Sequence, residues 1–430
     1  MEHALRRCDY RRALLPTTNS ERSLPNGAAL KLPDSSRIRT IMPIITEVVY
    51  LTGFPVRIRT PRPLFLVVAV LACGRVGAAP HTYDLTAVAR TGDIISGKTL
   101  TGFKLPSLGP NSVAIDSGGR VAFYATYSEG DTVGEGIFTP ASLVLKTGDV
   151  VDGRTLDGIG FVPALNDDGT VAVRGLFDSQ ASGIVTSKAL LAGSGQTIGG
   201  QKLIDVGHPA VNNNGTVAFE GSFSTGTGIF TQSALLAKSG GVMAGAAMAT
   251  FGAPTINNRG TVVFQSWFSG GTATAILTPT TVLVKTGDTI GGKTLNDLLF
   301  GRALNSSDTV AYFGTYPGGA GIFTQKALLV RSGDTLGGQK LTSFGLPVID
   351  DSGTVAFLGM YPGGMGVFTQ STLIAKTGDT VDGRTVTRLG EPAINCGGDV
   401  TFASWFSDGS SAIMLARPLT VQSDRRVTRP

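Results

Sequence analysis

The sequence predicts an all-β protein, a seven-bladed β-propeller of about 46-residue blades closed by its N-terminal strand. Three observations predict it. First, a turn followed by a Val-Ala-Phe-like triplet recurs seven times, most clearly as Asp350-Asp351-Ser352-Gly353-Thr354-Val355-Ala356-Phe357. Second, corner glycines recur at Gly92, Gly148, Gly195, Gly240, Gly287, Gly333 and Gly378, at spacings of 56, 47, 45, 47, 46 and 45 residues. Third, Gly supplies 59 of 430 residues while charged residues supply only 16%, as a turn-dense chain of short strands requires. A β-solenoid coil would be shorter and would not need hairpin turns.

Residues 1–55 show no usable periodicity and form a non-conforming extension, either a real disordered segment or, with Met42 as the start, one whose residues 1–41 are not translated. Residues 56–79 read as a signal peptide. Arg57, Arg59 and Arg62 precede the apolar run Leu64 to Leu71, and the small residues Gly77-Ala78-Ala79 follow. The run is too short to span a membrane. Val70-Leu71-Ala72-Cys73 also resembles a lipobox, which makes Cys73 a candidate lipidation site and a lipid anchor an alternative to ordinary cleavage. After ordinary cleavage Cys396 alone remains, which leaves no intramolecular disulfide. The charge agrees with this division. Residues 1–79 hold 12 Lys/Arg against 5 Asp/Glu, and the remaining 24 and 26 leave residues 80–430 slightly acidic. No basic stripe marks the repeats, so nucleic acid is not an expected partner.

The propeller should occupy residues 80–421, with a polar tail at 422–430. In each unit a strand such as Thr372 to Lys376 runs into a Thr-Gly-Asp corner, followed by a Gly-marked turn and a short strand. Asn or Asp then opens the tight turn at positions 116, 166, 212, 257, 305, 350 and 395, with Gly three residues later in six copies and Asp308 in the fifth. That is type I turn chemistry: the side chain holds the backbone and the glycine takes positive φ. The β-branched and aromatic triplet makes the next strand, and Gly-Ile-Phe or a relative makes the one after it. An aromatic four residues past each triplet (Tyr127, Phe177, Phe223, Phe268, Tyr316, Tyr361, Phe406) should pack between blades. Tyr83 to Ala89 stands alone before the first corner and could complete the seventh blade; Leu419 to Val421 is the other claimant to that place.

The tandem Asn-x-x-Gly-x-Val-Ala-Phe pattern after an export signal resembles the bacterial secreted proteins known for NxxGxxAF tandem repeats, over residues 83–416. The resemblance implies exported repeat proteins with varied surface anchors and no established reaction, so the expected location is secreted, cell-surface or periplasmic. The polar C-terminus departs from the anchored members.

No His/Asp/Glu cluster has ligand spacing, and His81 and His208 are scattered, so no metal and no cofactor is expected. The corner aspartates (Asp93, Asp149, Asp288, Asp334, Asp379) read as turn caps, since one carboxylate per corner is too few for Ca²⁺. No catalytic residue stands out. The variable strand face after the triplet holds the candidate binding residues Arg174, Glu220, Gln265, Trp267, Met360 and Trp405, with the tryptophans suited to stacking on a glycan. The expected function is an exported, non-enzymatic binding or structural propeller recognising a glycan or a protein. The alternative is a secreted hydrolase or lyase acting on carbohydrate or lactone with Glu129, Asp131, Asp178 and Asp408 as acid and base.

Overall fold

The computed structural model describes residues 83–104, 112–178, 181–271 and 273–419. The segments 1–55, 56–79 with Cys73, and 422–430 lie outside the described residues, as do residues 420 and 421. Among the described residues there is no helix, and the strands assemble into a seven-bladed β-propeller.

Blade 3 shows the common plan. Its inner strand is broken into Gln201–Val206 and Ala210–Val211, both antiparallel to the second strand Val217–Phe223. The third strand is Gly226–Thr231 and the outer one Leu235–Lys238. The Asn212 turn joins inner to second strand, with Gly215 at φ 73° and Gly215 N donating to Asn212 O at 3.0 Å. The expected chemistry holds in all seven turns: Asp308 carries φ 58° in the copy that lacks glycine. At the corners the carboxylate accepts from the backbone three residues upstream, as with Lys146 N to Asp149 Oδ2 at 2.9 Å and Lys376 N to Asp379 Oδ2 at 2.8 Å.

The triplet is explained by the interfaces between blades. Val217 and Phe219 face the preceding blade, where they pack with Ala172 and Ile184. Ala218 faces the following blade and packs beneath Val262 and Phe264. The middle residue must be small because a neighbour's bulky pair sits on it. The aromatic past each triplet joins the same inter-blade clusters, Phe223 meeting Phe230 edge-on at 6.2 Å. Burying each such aromatic fully is worth roughly 1.5–3 kcal/mol.

The N-terminal strand closes the ring. Tyr83–Arg90 is the outer strand of blade 7, antiparallel to Ser411–Pro418 from Tyr83↔Pro418 to Arg90↔Ala412. Thr91 locks the join, its N–H donating to Ser411 O and its Oγ1 accepting from Ser411 N, both at 3.0 Å. Leu419 lies outside any strand, so the place is filled by the N-terminal segment.

Candidate functional site

The inner strand of each blade has no partner on its axial side, so its polar backbone faces the channel and must be satisfied there. At the turn end the solution repeats. Asn212 Oδ1 accepts from Thr216 N within its own turn, while Asn212 Nδ2 donates to Asn257 O of the next blade at 3.2 Å. Asn166, Asn257 and Asn305 do the same to Asn212, Asn305 and Asp350, and Asn395 closes the circle onto Asp116 O at 3.0 Å. Asp116 and Asp350 have no amide to donate. Beside Asp116 the gap is bridged by Arg120, which pairs with that carboxylate and donates to Asp167 O. Asp350 remains without such a bridge, and burial pushes its carboxyl above the usual range. The next turn residues, Ser117, Asp167, Asn213, Asn258, Ser306, Asp351 and Cys396, line the mouth. Cys396 is disulfide-bonded in the uncleaved chain; the expectation of a lone cysteine concerned the chain after signal cleavage.

Behind this mouth lies an aliphatic collar of Ile115, Leu165, Val211, Ile256, Leu304, Ile349 and Ile394. Three residues before each turn Asn or Asp the column reads Val113, Pro163, Pro209, Pro254, Arg302, Pro347 and Pro392. Val113 and Arg302 are the two exceptions, and Arg302 is the charged one. It lies at a register break in its inner strand with φ 74° and lines the channel. Its Nε donates to Pro254 O at 3.0 Å, and Nη2 donates to Pro209 O two blades away. Burial lowers its pKa to about 10.

At the kink between the two pieces of the inner strand, three blades seat a side chain on the glycine of the preceding blade. His208 approaches Gly160, Leu346 approaches Gly301, and Glu391 lies so close to Gly345 that a Cβ there would meet Glu391 Oε1 at 2.2 Å. Lys104 Nζ sits 4.9 Å from the Phe161 ring centre and 5.6 Å from that of Tyr124, whose hydroxyl donates to Glu135 Oε2 at 2.6 Å. A charged cluster spans blades 2 and 3. Arg174 Nε donates to Val206 O at 2.6 Å and Nη2 to Asp205 Oδ1 at 2.8 Å, and Ser182 Oγ also donates to Asp205. Burial, with Asp205 adding repulsion, pushes Glu220 up to about 7. Burial, then Arg302 and Arg174, hold His208 down to about 4, and its Nδ1 has no hydrogen-bond partner. Burial also raises Glu391 to about 8, with Oε2 unpaired.

Of the residues singled out from sequence, Arg174 pairs with Asp205, and Glu220 is near enough to that carboxylate to be repelled by it. Gln265 spends both ends of its amide on blade 5, donating to Leu298 O and accepting from Phe300 N at 2.9 Å each. Trp267 shares its strand face and is half-buried. Met360 and Trp405 sit in blades 6 and 7, so the two tryptophans, three blades apart, form no common platform. The proposed acid–base carboxylates are held apart: Glu129 pairs with Lys98, Asp178 with Arg154 and Asp408 with Arg384, each inside its own blade. Asp131 lies beside Glu129 at the tip of the blade 1 hairpin. Among the described residues no group of three His, Cys, Asp or Glu is placed to hold a metal. Sequence reasoning passed over Arg302, Lys104 and Glu391. The column of prolines broken by Arg302 was the available signal.

No curated protein matches the chain. Solved structures similar to it include virginiamycin B lyase from Staphylococcus aureus, at 11% identity over 78% of this chain and 100% of that one with a TM-score of 0.35. The WD40 domain of Toxoplasma gondii coronin is similar at 13% identity over 80% and 89%, with a TM-score of 0.41. The profile of a family of unknown function (DUF7453) matches residues 78–243, from the N-terminal closing strand into the fourth blade.

Proposed function

We propose that the protein is an exported binding propeller that recognises a glycan or a protein partner where blades 2 and 3 present Arg174 and Glu220. One observation carries the reading. In the column directly after the triplet, blades 1–4 present Tyr124, Arg174, Glu220 and Gln265, while blades 5–7 present Phe313, Leu358 and Ala403. The aromatic column three residues further on repeats around the ring, whereas this one does not; Gln265 is taken up by blade 5 and Tyr124 by Glu135, which leaves Arg174 and Glu220 for recognition. Arg174 and Asp205 pair donors with acceptors there, a combination suited to hydroxyl groups or a peptide main chain. Trp267 and Trp405 would serve as separate contacts along the rim. Export is supported by the basic, apolar and small-residue order of residues 57–79, with Cys73 as the alternative anchor.

A second reading, hydrolysis or elimination on a carbohydrate or lactone, is favoured by Glu220. A carboxyl near 7 can both hold and release a proton at neutral pH. Purified chain 80–430 on a glycan array, and in turnover assays on carbohydrates and lactones, separates the two. The binding reading expects glycan retention without turnover, weakened about tenfold or more by Arg174→Ala. Retention unaffected by Arg174→Ala overturns the site. Turnover abolished by Glu220→Gln establishes the second reading instead.

A further inference from the structure

We infer that the central channel is a binding site for a small organic carboxylate, with Arg302 as its anion receptor and the aliphatic collar as the seat of its apolar body. The guanidinium carries five N–H donors, and its bonds to Pro254 O and Pro209 O use two of them. The other three have no protein partner among the described residues, and no carboxylate there pairs with Arg302. A guanidinium half-buried in a channel without a counter-ion is costly unless an anion completes it. Its position is also unforced. Five of the six equivalent positions hold proline, and the chain accepts a positive φ to place an arginine there instead.

The space beside it fits the same ligand. A cavity of about 240 Å³, lined by all seven blades, adjoins Arg302 and is walled by Val113, Ile115, Leu165, Val211 and Ile256. These walls offer a carboxylate no competing charge and an alkyl chain continuous apolar contact. Asp167, Asp350 and Asp351 stand at the turn end and repel an anion; the kink side mixes Lys104 and Arg174 with Asp205, Glu220 and Glu391, Asp205 being paired with Arg174. This site is independent of the recognition proposed for Arg174 and Glu220.

Calorimetric titration of the purified protein with acetate, butyrate, hexanoate, hexan-1-ol and inorganic phosphate tests it. Butyrate and hexanoate should bind more tightly than acetate, and hexan-1-ol should not bind. Arg302→Gln should weaken hexanoate at least about tenfold and Arg302→Lys much less. Crystals soaked in a bromine-labelled butyrate should place bromine in the channel, a readout that needs no variant. No binding in the series, equal affinity for Arg302→Gln, or bromine elsewhere overturns the inference. Phosphate bound more tightly than hexanoate overturns the apolar seat. Loss of glycan or protein binding with hexanoate binding intact removes the function proposed above and leaves this site standing.

Discussion

Along the inner strand the same physical problem, an unpaired edge facing the channel, is met in two ways. At the turn end, asparagine side chains carry a hydrogen bond from each blade to the next, and the solution repeats around the ring with aspartate at only two places. At the kink the blades do not share one answer: His208 rests against one neighbour's glycine, Glu391 presses on another's, and Arg302 crosses to two carbonyls. Repetition marks what the ring needs in order to exist. Departure from it marks where one blade does something its neighbours do not.

The sharpest break of the repeating region is removal of the strand that closes it. A chain starting at residue 91 exposes the edge of Ser411–Pro418 and separates blade 7 from its outer strand. Relative to a chain starting at residue 80, it should melt far lower and elute from size exclusion as larger species. Equal melting and a monomeric profile would mean that the strand adds nothing to closure.

A single turn tests the same region locally. Gly215 has φ 73° and nothing within 4 Å of an added Cβ, so Gly215→Val acts chiefly through backbone strain. The expected loss is about 1–3 kcal/mol, read as a fall in the midpoint of thermal or urea unfolding. An unchanged midpoint would show that the turn does not constrain the residue.

These outcomes bear on what the sequence could reveal. The Val-Ala-Phe triplets and Asn turns were legible because seven copies expose which positions cannot vary: Ala218 is small because Val262 and Phe264 lie on it, and Gly215 is glycine because φ is positive. The closing strand was legible because Tyr83 to Ala89 stood without a unit of its own. The inter-blade role of the asparagine amides was not, since an Asn or Asp turn is sufficient to explain the residue. Gln265 looked available and is spent on blade 5, because variation along a strand face does not distinguish a ligand contact from a blade contact. Arg302 is one residue in one blade, and only a register break places it in the channel.

A smaller effect should come from repairing the turn-end circle. Asp350 stands where an amide would donate to Asn395 O, and its carboxyl is held above the usual range chiefly by burial. Asp350→Asn keeps an oxygen for Thr354 N, now bonded at 2.7 Å, and supplies the missing donor. Stabilisation of about 0.5–1.5 kcal/mol is expected, largest above the ordinary carboxylate range, where wild type buries a charge. A destabilised variant at pH 8 would show that the circle gains nothing from completion.

The smallest expected effect lies in the varied region, and its sign depends on pH. Glu220 has a folded pKa of about 7 against an ordinary 4.5, so the folded state holds its proton more tightly than the unfolded one. Its contribution is therefore fully present below 4.5 and lost as pH rises through 7. Glu220→Gln mimics the protonated form at every pH. At pH 4 the variant should match wild type within about 0.5 kcal/mol. By pH 9 it should be the more stable, by about 1 kcal/mol once solvent screening of a partly exposed group is allowed for. The measurement is the difference in unfolding midpoint across that range. The turn-end variant Gly215→Val should show a loss that stays constant with pH, which makes it the control. A Glu220→Gln difference that is equally flat would mean that burial does not hold this proton, and the contrast between a framework end and a chemically tuned end would lose its clearest titratable marker.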